Sequence, residues 1–524
     1  RASATYNKTF SGKYQVNAMF AYEAAKLDRL TEEFQGWGIC YENGNLPFTD
    51  WKLFKQMGEE NGVYYSDTRT YARSMAYIGT ASFMYDNRYV INGTYRYEGS
   101  NKLGRATTSR WLPTWNVSGA WNADSESWFE NPVLATAKLR ASYSLTADAG
   151  PANVSNAMAI YYPTRPWRQD TEAYEQALQL SSLANSELTY EKKHELDIGV
   201  DLGFLNNRIN LSFDWYKRNN FDLIGYIYTE GVGGEIGKWA NVASMRSHGV
   251  EFTLSTRNIQ TRDFTWTTDL TFSYAKNTIT DLKSRSRVID LVQTEGFALE
   301  GYPVRSLFSI PFVGLTEDGL PQFINENGDV TTSNINFQEW EKLGFLKYEG
   351  PVDAPYTGGF GNDLRWKNWK LNVFLTYSFG GKLRLDQVFA SAYSDLSAMP
   401  REFMNRWVAP GDELRTNIPA IASRRQAYNN SQLGYAYNAY NYSTERVAKS
   451  DFIRLKEVAL TYEFPQSALH ALRIGSASVK LAATNLCLLY ADKKLNGQDP
   501  EFLNSGGVAS PNPKQFTFTL RFGL

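Results

Sequence analysis

Few residue groupings in this sequence have types and spacing suited to chemistry. The three histidines, His194, His248 and His470, are scattered, and none lies at ligand spacing from another. They predict neither a metal centre nor a catalytic site, and His248 reads as a packing or capping residue at a strand start. Asn325-Glu326-Asn327-Gly328-Asp329 has the oxygen-rich look of a calcium loop. It lacks a bidentate glutamate at the required downstream spacing, so a plain hairpin turn is the favoured reading. Gly231, Gly233 and Gly234 have no strand–helix context and do not form a phosphate loop. Cys40 and Cys487 belong to no spaced cluster; two unpaired thiols are the favoured reading, and a bridge between them requires that the fold bring them together. With no nucleophile–base arrangement, the reading is a non-enzyme with no cofactor and no metal.

The remaining chemistry is aromatic and amide. Tyr435, Tyr437, Tyr440 and Tyr442 interleave with Asn438 and Asn441, and Tyr161, Tyr162 and Trp167 form a second group. Aromatic faces stack on sugar rings, while Asn both donates and accepts hydrogen bonds. The same groups can hold an extended peptide, so the reading favours an oligosaccharide only slightly over an oligopeptide. Loop self-packing, or contact with a covering partner, is the other reading of these rings. Net charge is -1, which points to no nucleic acid.

The elements that would position these loops are strands. In the last eleven residues Phe516, Phe518, Leu520, Phe522 and Leu524 alternate with Thr517, Thr519, Arg521 and Gly523. Successive strand side chains point to opposite faces, so one face is greasy and the other polar or small. The cleanest hairpin sets Leu196, Ile198, Val200, Leu202 and Phe204 against Glu195, Asp197, Gly199, Asp201 and Gly203. Asn206-Asn207 turns it into Ile209, Leu211, Phe213 and Trp215, which alternate with polar residues that include Asp214.

The same pattern recurs along the chain from Tyr14–Ala24 to the C-terminus, giving about fourteen strands. Two irregularities stand out. The apolar phase of Asp451–Phe464 slips, which predicts a bulge near Lys456-Glu457. Asn362 falls on the greasy face of Tyr356–Trp366, beside Gly358, Gly359 and Gly361, where close packing or a bend is expected.

Long connections, such as about 277–354 and the one ending near Lys449, fall on one side. Short turns, such as Asp86-Asn87 and Lys367-Asn368, fall on the other. This predicts an all-β, transmembrane antiparallel β-barrel with long extracellular loops and short periplasmic turns. By this count the chain enters and leaves on the periplasmic side. Lipid meets the greasy face. Glu195, Asp197, Asp201, Asp214, Asp269 and Arg521 line a wet lumen. Mean hydropathy is -0.44, as alternating strands average out, and no apolar run reaches membrane-helix length. Aromatics make up 15% of residues, heavy for a soluble enzyme and natural for interface girdles. No signal peptide opens the chain, so a bacterial outer-membrane protein would here lack its beginning.

These hairpins resemble the SusC/RagA-type TonB-dependent outer-membrane transporters of Bacteroidetes. The resemblance runs through Tyr95–Gly104, Trp111-Leu112-Pro113, Leu139–Tyr143, Asp197–Asp201 with Tyr216-Lys217-Arg218, and Asn241–Glu251. It continues through Gly301-Tyr302-Pro303, Tyr356–Asn362, Asn405-Arg406-Trp407, Phe452–Lys456 and Asn485-Leu486. Tyr97, Glu98, Ala243, His248 and the final Leu524 depart from the family pattern.

The resemblance implies a barrel of about 22 strands filled by an N-terminal plug. It implies a SusD-like lipoprotein lid on the loop side and import of oligosaccharides or oligopeptides with energy relayed by the TonB complex. Residues 1–524 would then be the C-terminal part of such a barrel, with plug, TonB-contacting segment and early strands outside the chain. Trp167, Tyr435, Tyr437, Tyr440 and Tyr442 are the candidates for substrate or lid contact. A stand-alone passive pore and a soluble or surface β-rich glycan-binding protein are the competing readings.

Overall fold

The computed structural model describes residues 1–40, 44, 46–47, 50–60, 62–103, 107–150, 160–164, 166–168, 170–182, 185, 187–228, 237–387, 401–470, 474–503 and 513–523. Gly231, Gly233, Gly234 and Leu524 lie outside the described residues.

Period-two alternation produces one 15-stranded sheet whose spatial order follows the chain order. The strands are Ala2–Phe10, Tyr14–Phe34, Tyr65–Tyr85, Tyr89–Ser100, Trp111–Asn122, Leu134–Asp148, Glu191–Phe204 and Ile209–Tyr228, followed by Gly237–Gln260, Phe264–Leu282, Tyr356–Trp366, Trp369–Phe379, Phe452–Glu463, Ser476–Ala491 and Gln515–Gly523. Neighbours pair antiparallel, as in Val200 opposite Phe213 and Leu481 opposite Phe518. Among the described residues, the two outermost strands do not pair with each other.

The predicted greasy positions form the outer surface. Phe83, Ile91, Val117, Leu139, Ile198, Phe213, Leu481 and Phe518 are all exposed. In water such a contiguous apolar face would be costly; in a bilayer it is the stable arrangement. Tyr356–Trp366 and Trp369–Phe379 have 11 residues each, and a tilted strand needs about 9–11 to cross the hydrocarbon. Rings gather at both ends of this band. Tyr14 meets Tyr85 at 5.0 Å and Trp369 meets Tyr462 at 4.7 Å on the short-turn side. Tyr22 meets Tyr77 at 5.4 Å and Tyr274 meets Tyr356 at 5.0 Å on the loop side.

The short turns form as their residues dictate. Asp86 and Asn87 take φ of 52° and 59°, and Asn206 and Asn207 take 57° and 58°. Positive φ at both central residues gives a turn whose twist matches that of the strands. The phase slip is a bulge at Lys456: Leu455 and Glu457 pair with neighbours on both sides while Lys456 is skipped. The Lys456 amine donates to Asn485 Oδ1 at 2.9 Å. Asn362 is tolerated on the greasy face because its Oδ1 accepts from Trp266 Nε1 at 2.9 Å and from Thr268 Oγ1 at 2.8 Å.

Three expectations need correction. The sheet has fifteen strands, against an expected count of about fourteen; Ala2–Phe10 is the strand not foreseen, and it pairs with the strand that follows it through a turn at Ser11 and Gly12, with φ of 49° and 68°. Its outer positions Ala2, Ala4 and Lys8 interrupt the greasy pattern that marks the other strands. The added strand reverses the parity, so the chain begins at the loop side and descends to a short turn. Several strands also outrun the bilayer: Tyr14–Phe34 has 21 residues rather than ending at Ala24, and Gly237–Gln260 has 24. Phe264–Leu282 likewise carries the sheet past Asn277, where a loop was expected.

Gly358 has a specific steric role. A Cβ there would collide with the Thr271 carbonyl and the Tyr377 hydroxyl. Tyr377 Oη donates to Thr271 O at 2.8 Å directly over this position. Gly358→Val is expected to break that bridge and cost about 1–3 kcal/mol. The measurement is the heat resistance of the folded form on semi-native electrophoresis. Gly79→Ala, at a position with open space around it, should leave that resistance unchanged.

Candidate functional site

Two surfaces can handle a solute: the lumen wall and the cap that rises from the loops. On the wall, inward positions of three adjacent strands carry Arg140, Asp201 and Asp214. Arg140 Nε donates to Asp201 Oδ2 at 2.8 Å, and its Nη1 lies 2.9 Å from Asp214 Oδ1. Ser212 Oγ donates to Asp201 Oδ1 at 2.7 Å. The guanidinium passes over Gly199, where any Cβ would strike both Asp214 and Arg140.

Higher on the same face, Glu195 pairs with Lys193 at 2.6 Å and Arg218 at 2.8 Å. Several of the carboxylates read from the sequence are therefore neutralised by arginine and lysine on neighbouring strands, at half-buried positions. Asp197 is half-buried, whereas Asp269 and Arg521 are exposed. The wall is polar and substantially charge-balanced, which suits a hydrated solute and gives lipid no purchase.

The described parts of the two longest connections, 283–355 and 380–451, fold together. Their shared core draws Val288, Leu291, Phe308, Ile310 and Phe323 from the first and Phe403, Leu433, Tyr437 and Tyr440 from the second. Arg384 joins the two. It is 1% exposed, and its Nη2 donates to Phe308 O at 2.6 Å and Ser309 Oγ at 3.1 Å, while Nη1 donates to Ser443 O at 3.2 Å. Burial lowers its pKa to about 9, opposed by the charge of Glu349. Arg446, also buried, pairs with Glu402 and donates to Asp386 O at 2.9 Å. Arg454 ties the bulged strand to Asp499 at 2.6 Å and Glu501 at 2.7 Å.

The candidate contact residues separate into two groups. Tyr437, Tyr440 and Tyr442 are 1%, 3% and 6% exposed and belong to the cap core. Tyr437 Oη donates to Ala420 O at 2.8 Å, and Tyr440 sits edge-on to Phe312 at 5.8 Å. Burial pushes the Tyr440 hydroxyl pKa well above its usual range. The Tyr442 hydroxyl accepts from Gln387 Nε2 at 2.7 Å. Tyr435 and Trp167 are exposed, and Trp167 lies edge-on to Tyr174 at 5.0 Å in a separate small hairpin.

Leu433–Asn441 is a helix rather than an irregular loop. Leu433, Ala436, Tyr437 and Tyr440 fall at i, i+3, i+4 and i+7, the spacing that could have revealed its buried face. The backbone of Tyr161 and Tyr162 lies in the strand Ile160–Thr164, but their side chains, like that of Cys40, lie outside the described residues. Cys487 is a free, exposed thiol.

His194 stacks on Tyr143 and Phe221, and His248 packs edge-on to Tyr274 within a long strand rather than at its start. Asn325–Asp329 forms the expected hairpin turn, with Asn325 N donating to Asp329 O at 3.0 Å.

An antiparallel sheet with a lipid-facing exterior, two aromatic girdles, a polar wall and long loops on one side defines an outer-membrane β-barrel. The chain belongs to the TonB-dependent receptor family: residues 2–388 match the model described as TonB dependent receptor-like, beta-barrel. It is similar to TonB-dependent receptor P3 of Formosa agariphila, with 25% identity over 95% of this chain and 48% of that protein. It is also similar to TonB-dependent receptor SusC of Bacteroides thetaiotaomicron, with 24% identity over 94% of this chain and 46% of that one. The chain spans about half the length of these curated relatives. The fold matches the RagAB peptide importer in its 'open-open' state with a TM-score of 0.78, at 20% identity, over 100% of this chain and 54% of that chain.

Proposed function

We propose that the chain is the C-terminal wall of a TonB-dependent outer-membrane importer of large nutrients, oligosaccharides or oligopeptides. Its partner on the loop side is a SusD-like lipoprotein. The observation that carries this reading is the open sheet. Ala2–Phe10 and Gln515–Gly523 each present an edge, and among the described residues neither edge pairs with the other. An unpaired edge in lipid leaves backbone groups without partners, at several kcal/mol each. A barrel of about 22 strands less the 15 present leaves about seven to fill the gap. Those strands, the plug and the TonB-contacting segment would lie on polypeptide outside these 524 residues. The similarity to SusC and the fold likeness to the RagAB peptide importer support the transport reading.

Uptake of labelled maltooligosaccharide or peptide by intact cells tests the reading. Import should stop when the proton-motive force is collapsed, because the energy is relayed from outside the barrel. Undiminished uptake would favour the stand-alone passive pore. Release of the protein from membranes by a salt wash without detergent would contradict both barrel readings.

A further inference from the structure

We infer that the cavity inside the loop cap is a peptide subsite, which holds a short free-ended peptide with an apolar side chain. The inference deepens the import reading and rests on it for its biological use. The cavity has a volume of about 760 Å³, within the roughly 300–1,000 Å³ of ordinary ligand pockets. Leu320, Ile421 and Leu433 supply its apolar lining. Two opposite charges also line it. Arg406 is half-buried; its Nη1 donates to Phe403 O at 3.2 Å, and among the described residues it has no carboxylate partner. Asp318 is exposed and has no ion-pair or hydrogen-bond partner among the described residues.

Amides complete the lining. Gln426 uses its Oε1 to accept from Ser423, and Asn430 uses its Oδ1 to accept from Gln432 N. Among the described residues their NH2 groups, and the whole amide of Asn429, have no hydrogen-bond partner, which leaves them for a ligand. A guanidinium takes a carboxylate in charge-assisted hydrogen bonds. A carboxylate takes an ammonium, amides bond a peptide backbone, and an aliphatic lining takes an apolar side chain. A zwitterionic peptide meets all four features at once.

A sugar fits less well, because stacking on a ring needs an open aromatic face. The two aromatic residues here are engaged elsewhere. Tyr437 is 1% exposed, and the Trp407 ring lies so close to Gly319 that a Cβ there would strike it. Trp407 Nε1 is also occupied, donating to Glu413 Oε2 at 3.1 Å.

Calorimetry on the protein purified from outer membranes tests this with the tripeptide Ala-Leu-Ala, its C-terminal amide, its N-acetyl form, and maltotriose. The free tripeptide should bind, and the C-terminal amide should bind about tenfold more weakly for loss of a charge-assisted bond. Arg406→Gln should weaken the free acid to the level of the amide and leave the amide unchanged. Asp318→Asn should do the same for the free amine against the N-acetyl form. The comparison between unmodified and capped peptides uses the wild-type chain, so it stands even if a variant misfolds. Equal binding of free and capped peptides, no binding of the tripeptide, or maltotriose binding that Arg406→Gln abolishes would each overturn the subsite. Energy-independent uptake alongside end-dependent binding would instead overturn the import reading and leave the subsite in place.

Discussion

Replacing Arg384 by methionine is expected to loosen the loop cap while the barrel stays folded. The methionine can fill much of the space but cannot donate. Phe308 O, Ser309 Oγ and Ser443 O would each lose a buried donor. A buried acceptor left without its partner costs about 1–3 kcal/mol. Glu349 would also lose a nearby positive charge, keeping Lys347 at 3.5 Å. The combined loss is about 3–5 kcal/mol, the range for breaking a buried polar network. It should appear as protease cleavage and faster hydrogen exchange across 401–450. Exchange in Leu134–Asp148 and Glu191–Phe204 should not change. Unaltered exchange in the cap would mean that the two long connections are held together by their apolar core alone.

Tyr437→Ala should act as strongly by a different route. Truncating a fully buried aromatic side chain costs about 3–5 kcal/mol, and here the Ala420 carbonyl also loses its donor. Tyr437→Phe keeps the ring and removes only the hydroxyl, so about 1 kcal/mol is expected. Tyr440→Ala should behave like Tyr437→Ala, since Tyr440 is packed in the same core. Trp167→Ala and Tyr435→Ala remove exposed rings and should leave the cap intact. Uptake, and retention of the proposed lipoprotein lid, measured separately then divide the residues by role. A loss in Trp167→Ala or Tyr435→Ala with an intact cap marks contact with cargo or lipoprotein. Loss in Tyr437→Ala accompanied by a protease-sensitive cap marks packing. An intact cap in Tyr437→Ala would contradict the packing account.

The strand framework was legible because lipid imposes a strict rule. A face that meets hydrocarbon must be apolar at every second residue, and Leu196–Phe204 and Phe516–Phe522 obey it. Even the exceptions were readable: a phase slip located the bulge at Lys456, and the glycines around Asn362 marked the place where Tyr377 crosses Gly358. Where lipid is absent the rule lapses. Ala24–Phe34 stands exposed on both faces above the band, so it carries charges on either side and resembles a loop.

The cap follows a different period. Sequence alone places the tyrosines of 435–442 in a loop, while their actual order follows a helix buried through Leu433, Ala436, Tyr437 and Tyr440. The partners of Arg384 and Arg140 are set by tertiary neighbours many residues away, which local spacing cannot show. The cavity at Arg406 likewise needs both long connections folded before its lining exists.

The most direct test of the central claim is the neighbour of the terminal strand in the intact outer membrane. A photo-crosslinking amino acid placed at Thr519, on the Gln515–Gly523 strand, captures whatever lies beside the open edge. Mass spectrometry then identifies the adduct. The account predicts one adduct to Ser476–Ala491, the strand already paired there, and a second to polypeptide outside residues 1–524. A second adduct to Ala2–Phe10 would mean that the fifteen strands close on themselves, and would contradict the larger barrel and the importer built on it.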